Sequence, residues 1–367
     1  VPAIPAVTAG CASADAEVSA RCTALLAHLR ADRRAAFAAA FRADADGGVR
    51  LDHPAWDRFV ALAGESPAGR ALFAEMIAIP AAFARLDDAA ADPARAAALY
   101  AEAVTTVAAG REELGRESFH VEVWPGERPA ELAALLYLGA CFAGDPWPAG
   151  TGAGTTRLPV FVAGRRLRGP AGGPVGKLFV AWLGRRADPE LIRAGLDVVF
   201  CHAPADGLPL ARRVAADAAL PAATRAAALP VLGRLGSAAD APACAGLLGD
   251  DTPFASFATD GYLARGTAVR TRSVQVRDVA AAVTLSLGGA DPRAHGFDAA
   301  DDPVWREYPI GRYESATTNT MREREPGTTK AVPPEILLWP PAHGFETAAA
   351  RAAAHAKAAA WLAAGRN

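Results

Sequence analysis

Thr224-Arg-Ala-Ala-Ala-Leu-Pro-Val-Leu-Gly-Arg-Leu-Gly236 recurs in register at two other places in the chain. From Val18 the sequence reads VSARCTALLAHL, and from Val276 it reads VRDVAAAVTLSLG. Each copy puts a small residue four places in: Cys22, Ala228 and Ala280. Large apolar residues stand at seven (Leu25, Val231, Val283) and at eleven (Leu29, Leu235, Leu287), which is one face of a helix with a 3.6-residue period. A recurring helix with a small residue where a neighbour must come close is the sequence form of a stacked helical array. Val276, Ala280, Val283 and Leu287 are therefore expected to be buried together.

Working outward from the second copy, ADPELIRAGLDVVF, GLPLARRVAADAAL, the helix 221–235 and ADAPACAGLLGD give four helices joined by short turns. The stretch 252–271 interrupts the pairing before the third copy. Toward the N-terminus, a hairpin pairs residues 3–11 with 16–30, and 33–41 continues as a further alanine-rich helix. Pro at the first helical position opens helices at Pro67 and Pro93. Four regions result: a helical region 1–145, a basic Gly/Pro-rich insertion 146–187, a repeat region 188–297, and an aromatic extension with a C-terminal helix over 298–367.

Composition sets the bounds. The 367 residues are 51% hydrophobic and 21% charged, the profile of a globular chain, and every apolar run is broken well before the length a membrane helix needs. Only three lysines stand against 35 arginines, a coding bias more than a demand for guanidinium chemistry. A net charge of -2 and a pI of about 6.4 argue against a dedicated nucleic-acid binder. The five cysteines (Cys11, Cys22, Cys141, Cys201, Cys244) form no C-x-x-C pair and are expected as small buried hydrophobes. A start at Val1 is expected to follow processing or truncation, which leaves export open and the compartment unassigned.

The three copies, with LGRLGSAADAPACAGLLGDD after the second, resemble HEAT-like repeats over 205–295 and over 1–30. The resemblance implies an all-α fold: a right-handed α-solenoid of HEAT-like helical hairpins with irregular insertions and at most a small strand pair. It further implies that Arg225 and Arg277 contact turn acids of a neighbouring repeat, with Asp217 and Asp250 in that role. Ser19 departs from this pattern in the first copy. What such arrays offer is a surface for binding proteins.

Chemistry leaves little trace. GGPVGKL at 172–178 fails as a phosphate loop, since Ala171 replaces the first glycine and Leu178 the Ser/Thr that would hold magnesium. Asp44-Ala-Asp-Gly-Gly48 fails as a calcium loop, since His53 falls where a bidentate Glu is required. No G-x-S-x-G or H-E-x-x-H occurs. His120 and Glu122 alternate on a strand-like segment, FHVEVW at 119–124, and could offer two metal ligands, although a solvated strand face explains them more simply. The tetrapeptide AHGF occurs twice, around His295 and His343, as a turn that Gly closes and Phe covers. No catalytic residue, metal site or cofactor is assigned.

Two features remain as candidate binding elements. Residues 146–187 carry Arg157, Arg165, Arg166, Arg168, Lys177, Arg185 and Arg186 without one acid. Either this strap lies on its own acidic chain, anchored by Leu158, Val160, Phe161 and Val162, or Arg165, Arg166, Arg168, Arg185 and Arg186 face an anionic polymer; self-packing is the expected outcome. Trp305, Tyr308 and Tyr313 in the extension are candidate partner-docking aromatics. The expected function is a non-catalytic scaffold with a protein partner; the alternatives are a structural subunit of a larger assembly, or a hydrolase or lyase with its site near 119–124.

Overall fold

The computed structural model describes residues 4–44, 54–117, 125–147, 151–167, 173–204, 206–258, 270–302 and 337–364. They are mostly helical, with one small antiparallel strand pair. The chain divides into two compact units, Val1–Arg186 and Ala187–Asn367. Residues 146–187, read above as a separate strap, fall almost entirely within the first. His120, Glu122, Arg168, Trp305, Tyr308 and Tyr313 lie outside the described residues, and of Arg165 and Arg166 only the backbone is described.

In the first unit, α1 (Ile4–Gly10) packs on α2 (Ala16–Asp44), and α2 on α4 (Pro67–Ala78) and α5 (Pro80–Ala91). Next to them stand α3 (Pro54–Ala63) and α6 (Ala96–Glu117). The centre is α7 (Pro129–Ala140), which touches α3, α4, α5, α6, α9 (Leu158–Arg166) and α10 (Gly173–Leu183). Its sequence explains the position: from Leu132 to Ala140 every residue is buried and none is charged, so no face of the helix has a reason to meet water. Gly139 is required there, because a Cβ would stand 2.3 Å from Trp182 Cδ1 and 2.9 Å from Tyr100 Cε2. The short α8 (Ala153–Thr156) precedes α9. Ser66 caps α4, its Oγ accepting from Gly69 N at 3.0 Å, with Pro67 in the first turn.

The first copy of the repeat departs from its expected form in two ways. One unbroken helix, α2, replaces the separate helices 16–30 and 33–41. Its inner face is also turned by one residue, so that Leu26 is buried while Val18 and Leu25 are 43% and 46% exposed. The ion pairs of α2 lie on the same face as Leu26. Arg30 pairs with Asp88 and Arg33 with Asp87 on α5, and Leu26, Arg30 and Arg33 share one helix face.

In the second unit, α11 (Pro189–His202) begins at Asp188, whose carboxylate accepts from Glu190 N at 2.9 Å. The chain continues through α12 (Gly207–Ala216), α13 (Ala222–Ala227), α14 (Leu229–Leu235) and α15 (Pro242–Ala245). The expected helix 221–235 is divided at Ala228, because Pro230 has no N–H to continue the ladder. Strands β1 (Pro253–Ala258) and β2 (Thr271–Gln275) follow, antiparallel, with Ser256 opposite Ser273. They lead into α16 (Val276–Leu287), and the described chain ends in α17 (Ala348–Ala364).

α16 carries the repeat register as read from the sequence: Val276, Ala280 and Val283 are fully buried and Leu287 is 9% exposed. It packs against α14, where a Cβ on Gly233 would meet Val283 Cγ1 at 3.4 Å and Leu338 Cδ2 at 2.7 Å. With no room beside Ala280, Ala280→Leu is expected to cost about 1–3 kcal/mol through overpacking. An unchanged melting temperature for that variant would contradict the register.

The arginines assigned to inter-repeat contacts both reach one of the turn acids: Arg277 N donates to Asp250 O at 2.8 Å, and the Arg225 charge adds to the Thr252 hydrogen bonds that lower the Asp250 pKa. Arg225 donates through Nε to the Ala215 carbonyl at 3.1 Å, and Arg277 donates to Gln275 Oε1 at 2.8 Å. A two-pronged side-chain pair of an arginine with a turn acid is made by Arg212 and Asp240, through bonds of 2.7 and 3.1 Å. Asp217 and Asp250 accept from backbone N–H groups two residues on, at Ala219 and Thr252.

Candidate binding groove and buried polar clusters

The basic segment resolves into residues with different fates. Residues 1–145 carry 20 acids against 13 arginines, and the seven cations of 146–186 bring the first unit to 20 of each sign. Leu158, Val160 and Val162 are buried, while Phe161 is 52% exposed with the Arg111 guanidinium 5.4 Å from its ring centre. Arg185 is exposed. Arg186 is not available to a polymer, because it is 6% exposed and enclosed by its own unit.

Arg186 Nη2 donates to Gly139 O at 2.6 Å and to Phe142 O at 3.3 Å, and its Nε donates to Trp182 O at 3.3 Å. Its guanidinium lies 4.6 Å from the ring centre of Phe142, 5.6 Å from Trp182 and 5.7 Å from Tyr100. Two of these carbonyls lie at the C-terminal end of α7, where a cation meets the negative end of the helix. Burial pulls the guanidinium pKa below its ordinary value, and Tyr100 and Asp145 work in the opposite direction. Burial also raises the Tyr100 hydroxyl, which accepts from Trp182 Nε1 at 3.0 Å.

A groove of about 400 Å³ opens where α5, α6 and the start of α7 meet. Its floor is Ile79, Ala82, Ala103, Val107, Ala134, Leu135 and Leu138; its rim carries Arg85, Thr106, Leu114, Arg128 and Glu131. The alanines explain the space, since three helices converge and at 82, 103 and 134 nothing longer than a methyl fills it. Gly126, at φ +80, lets the chain turn into α7 where a Cβ would stand 2.8 Å from Val107 Cγ1. Most rim groups are engaged: Glu131 Oε2 accepts from Gly126 N at 2.9 Å, Thr106 Oγ1 donates to Glu102 O at 2.8 Å, and Arg85 pairs with Glu102 at 3.1 Å. The Arg128 side chain is exposed and makes no hydrogen bond or ion pair with the described residues.

A polar cluster of the second unit forms around Asp278, which is fully buried at the start of α16. The carboxylate accepts from Gln275 N at 2.7 Å, Arg351 Nε at 3.0 Å and His355 Nε2 at 2.8 Å. Arg351 also donates to Ser273 O at 2.7 Å and Oγ at 2.8 Å. Arg351 and His355 stand four residues apart on α17, so the cluster fastens α17 to α16 and β2. Phe297 packs edge-on against His343, Phe345 and His355.

The two AHGF copies part company here. Gly296, at φ +94, ends its 3-10 turn in the left-handed region as expected, whereas Gly344 sits at φ -77 and packs against Arg272 and Val274 of β2. Phe345 pairs with Ser273 through backbone bonds of 3.0 Å in both directions. Neither copy brings together a nucleophile and a base. Among the described residues no three His, Cys, Asp or Glu side chains are placed to hold a metal ion.

His343 is fully buried; its Nε2 lies 2.8 Å from Leu337 O, and its Nδ1 has no hydrogen-bond partner among the described residues. Burial pulls its pKa from 6.5 to about 4, against the opposing effects of the Leu337 carbonyl and Asp278. The unfolded chain therefore takes up this proton near pH 6.5 and the folded chain only near 4. Stability from the neutral ring is complete above pH 6.5 and is lost as pH falls through 4, a change of about 3 kcal/mol. Denaturant unfolding from pH 7 to pH 4 is expected to show this decline and His343→Phe to flatten it. An equal decline in His343→Phe would assign the pH dependence elsewhere.

The groove and the Asp278 cluster left only faint marks in the sequence. Alanine at 82, 103 and 134 does not stand out in so alanine-rich a chain. Gln275 and Asp278 at capping-box spacing, and Arg351 and His355 four apart in an alanine-rich helix, are the signals that could have found the cluster. No protein-family model matches this chain, and no curated protein or solved structure matches it either.

Proposed function

We propose that the chain is a non-catalytic binding scaffold whose second unit is built on HEAT-like helix pairs and serves a protein partner. The observation that supports this reading most is the seating of α14 on α16 through the repeated small-residue face, with Gly233 against Val283 and Ala280 fully buried. Close stacking of like helices is how repeat proteins turn a short sequence unit into an extended surface. The buried polar clusters fit this reading: Asp278 and Arg186 direct their hydrogen bonds into helix packing.

The test is capture from the native source with the full chain, followed by hydrogen exchange on the purified complex. A defined protein partner that slows exchange on exposed amides of 207–287 is the expected result. Turnover of an ester, peptide or glycoside substrate that His120→Ala abolishes would replace the scaffold reading with the hydrolase or lyase one.

A further inference from the structure

We infer that the groove between α5, α6 and α7 binds a free medium-chain fatty acid, its aliphatic chain on the apolar floor and its carboxylate at Arg128. The volume of about 400 Å³ falls within the range of small-molecule sites, and the floor is made of apolar side chains. The polar groups at its rim, Arg128 apart, are each already engaged in one internal bond, and none lies on the floor: Thr106 with Glu102 O, Glu131 with Gly126 N, Arg85 with Glu102. A ligand body carrying amides or hydroxyls would lose its water and find no partner there, at a cost of about 1–3 kcal/mol per group. An extended peptide brings such groups at every residue. A single α-helical turn with its side chains, about 10 Å across and 5.4 Å long, would take the whole volume and still bring its backbone polar groups with it. An unbranched alkyl chain brings no such groups.

The charge at the rim fixes the head group. Two guanidiniums and one carboxylate line the groove, Glu131 is held to Gly126 N, and Arg128 is the cation with no partner among the described residues. A carboxylate there gains a planar, two-pronged partner that an alcohol cannot use. This site lies in the first unit and stands independently of the protein-binding reading given to the second.

Calorimetric titration of the full chain with dodecanoate below its micelle concentration tests the assignment, with dodecanol as the uncharged control. The wild type is expected to bind one equivalent of dodecanoate. Arg128→Gln weakens that binding about tenfold and leaves dodecanol unaffected. Thr106→Trp, which places an indole across the mouth at an exposed position, abolishes both with an unchanged melting temperature. Three results overturn the inference: no dodecanoate binding by the wild type, binding that Thr106→Trp leaves intact, or equal loss of acid and alcohol in Arg128→Gln. A wild type that ignores dodecanoate but loses a protein partner on Thr106→Trp would assign the groove to that partner.

Discussion

Asp278→Ala is expected to lower folding stability by about 3–5 kcal/mol, since removing one member of a buried ion pair leaves the other as an uncompensated charge. The stranded group is Arg351, itself 8% exposed, which keeps Ser273 O and Oγ but loses its only counter-charge among the described residues. His355 loses its Nε2 partner and Gln275 N its cap in the same step. Equilibrium urea unfolding reads the total. Hydrogen exchange should show amides of 348–364 opening before those of 276–287, because the cluster is the polar link between α17 and α16. Asp278→Ala combined with Arg351→Met removes both charges and is expected to recover part of the loss, which a simple cavity would not do. A loss below about 1 kcal/mol would show that α17 is held by its apolar face alone, through Ala354, Ala358 and Trp361.

How far the sequence could be read depended on how far apart the deciding partners lie. The α16 register was legible because its determinants, a small residue at Ala280 and apolar residues at Val283 and Leu287, sit within one helix. The same stripe misplaced the inner face of α2, where Arg30 and Arg33 reach Asp88 and Asp87 of a helix more than 50 residues further on. An ion pair at that separation leaves no periodic mark, so the apolar pattern read alone points the helix about one residue off. At 146–187 two signals overlap: glycine, proline and arginine set the segment apart in composition, while Leu178, Phe179, Trp182 and Leu183 keep a helical period and bury α10 against α7. Nothing local indicated the groove, since a space between three helices belongs to none of their sequences.

Arg186→Ala is expected to cost about 3–5 kcal/mol, and Arg185→Ala, one residue earlier and exposed, no more than about 0.5 kcal/mol. The sequence offered both arginines to an anionic polymer, and their difference arises mainly from groups 40 or more residues away, at Gly139, Phe142 and Tyr100, joined by Trp182 of the same helix. Removing the Arg186 guanidinium takes the donors from Gly139 O, Phe142 O and Trp182 O and leaves a void among Phe142, Trp182 and Tyr100. Lost hydrogen bonds to a charged donor, at about 1.5–3 kcal/mol each, and an unfilled cavity both act in this direction. The cost of keeping the charge dry acts against them, for the nearest carboxylate, Asp145, stands 3.8 Å away, longer than a hydrogen bond. Arg186→Met, which fills the space without a charge, should therefore lose less than Arg186→Ala. Arg186→Lys should lose nearly as much as alanine, because an ammonium cannot span three carbonyls and lie flat on the rings at once. Thermal and denaturant unfolding of the three variants give the order directly. If lysine proved the mildest change, the stabilising contribution of Arg186 would be its charge beside Asp145, and the aromatic enclosure would be incidental to it.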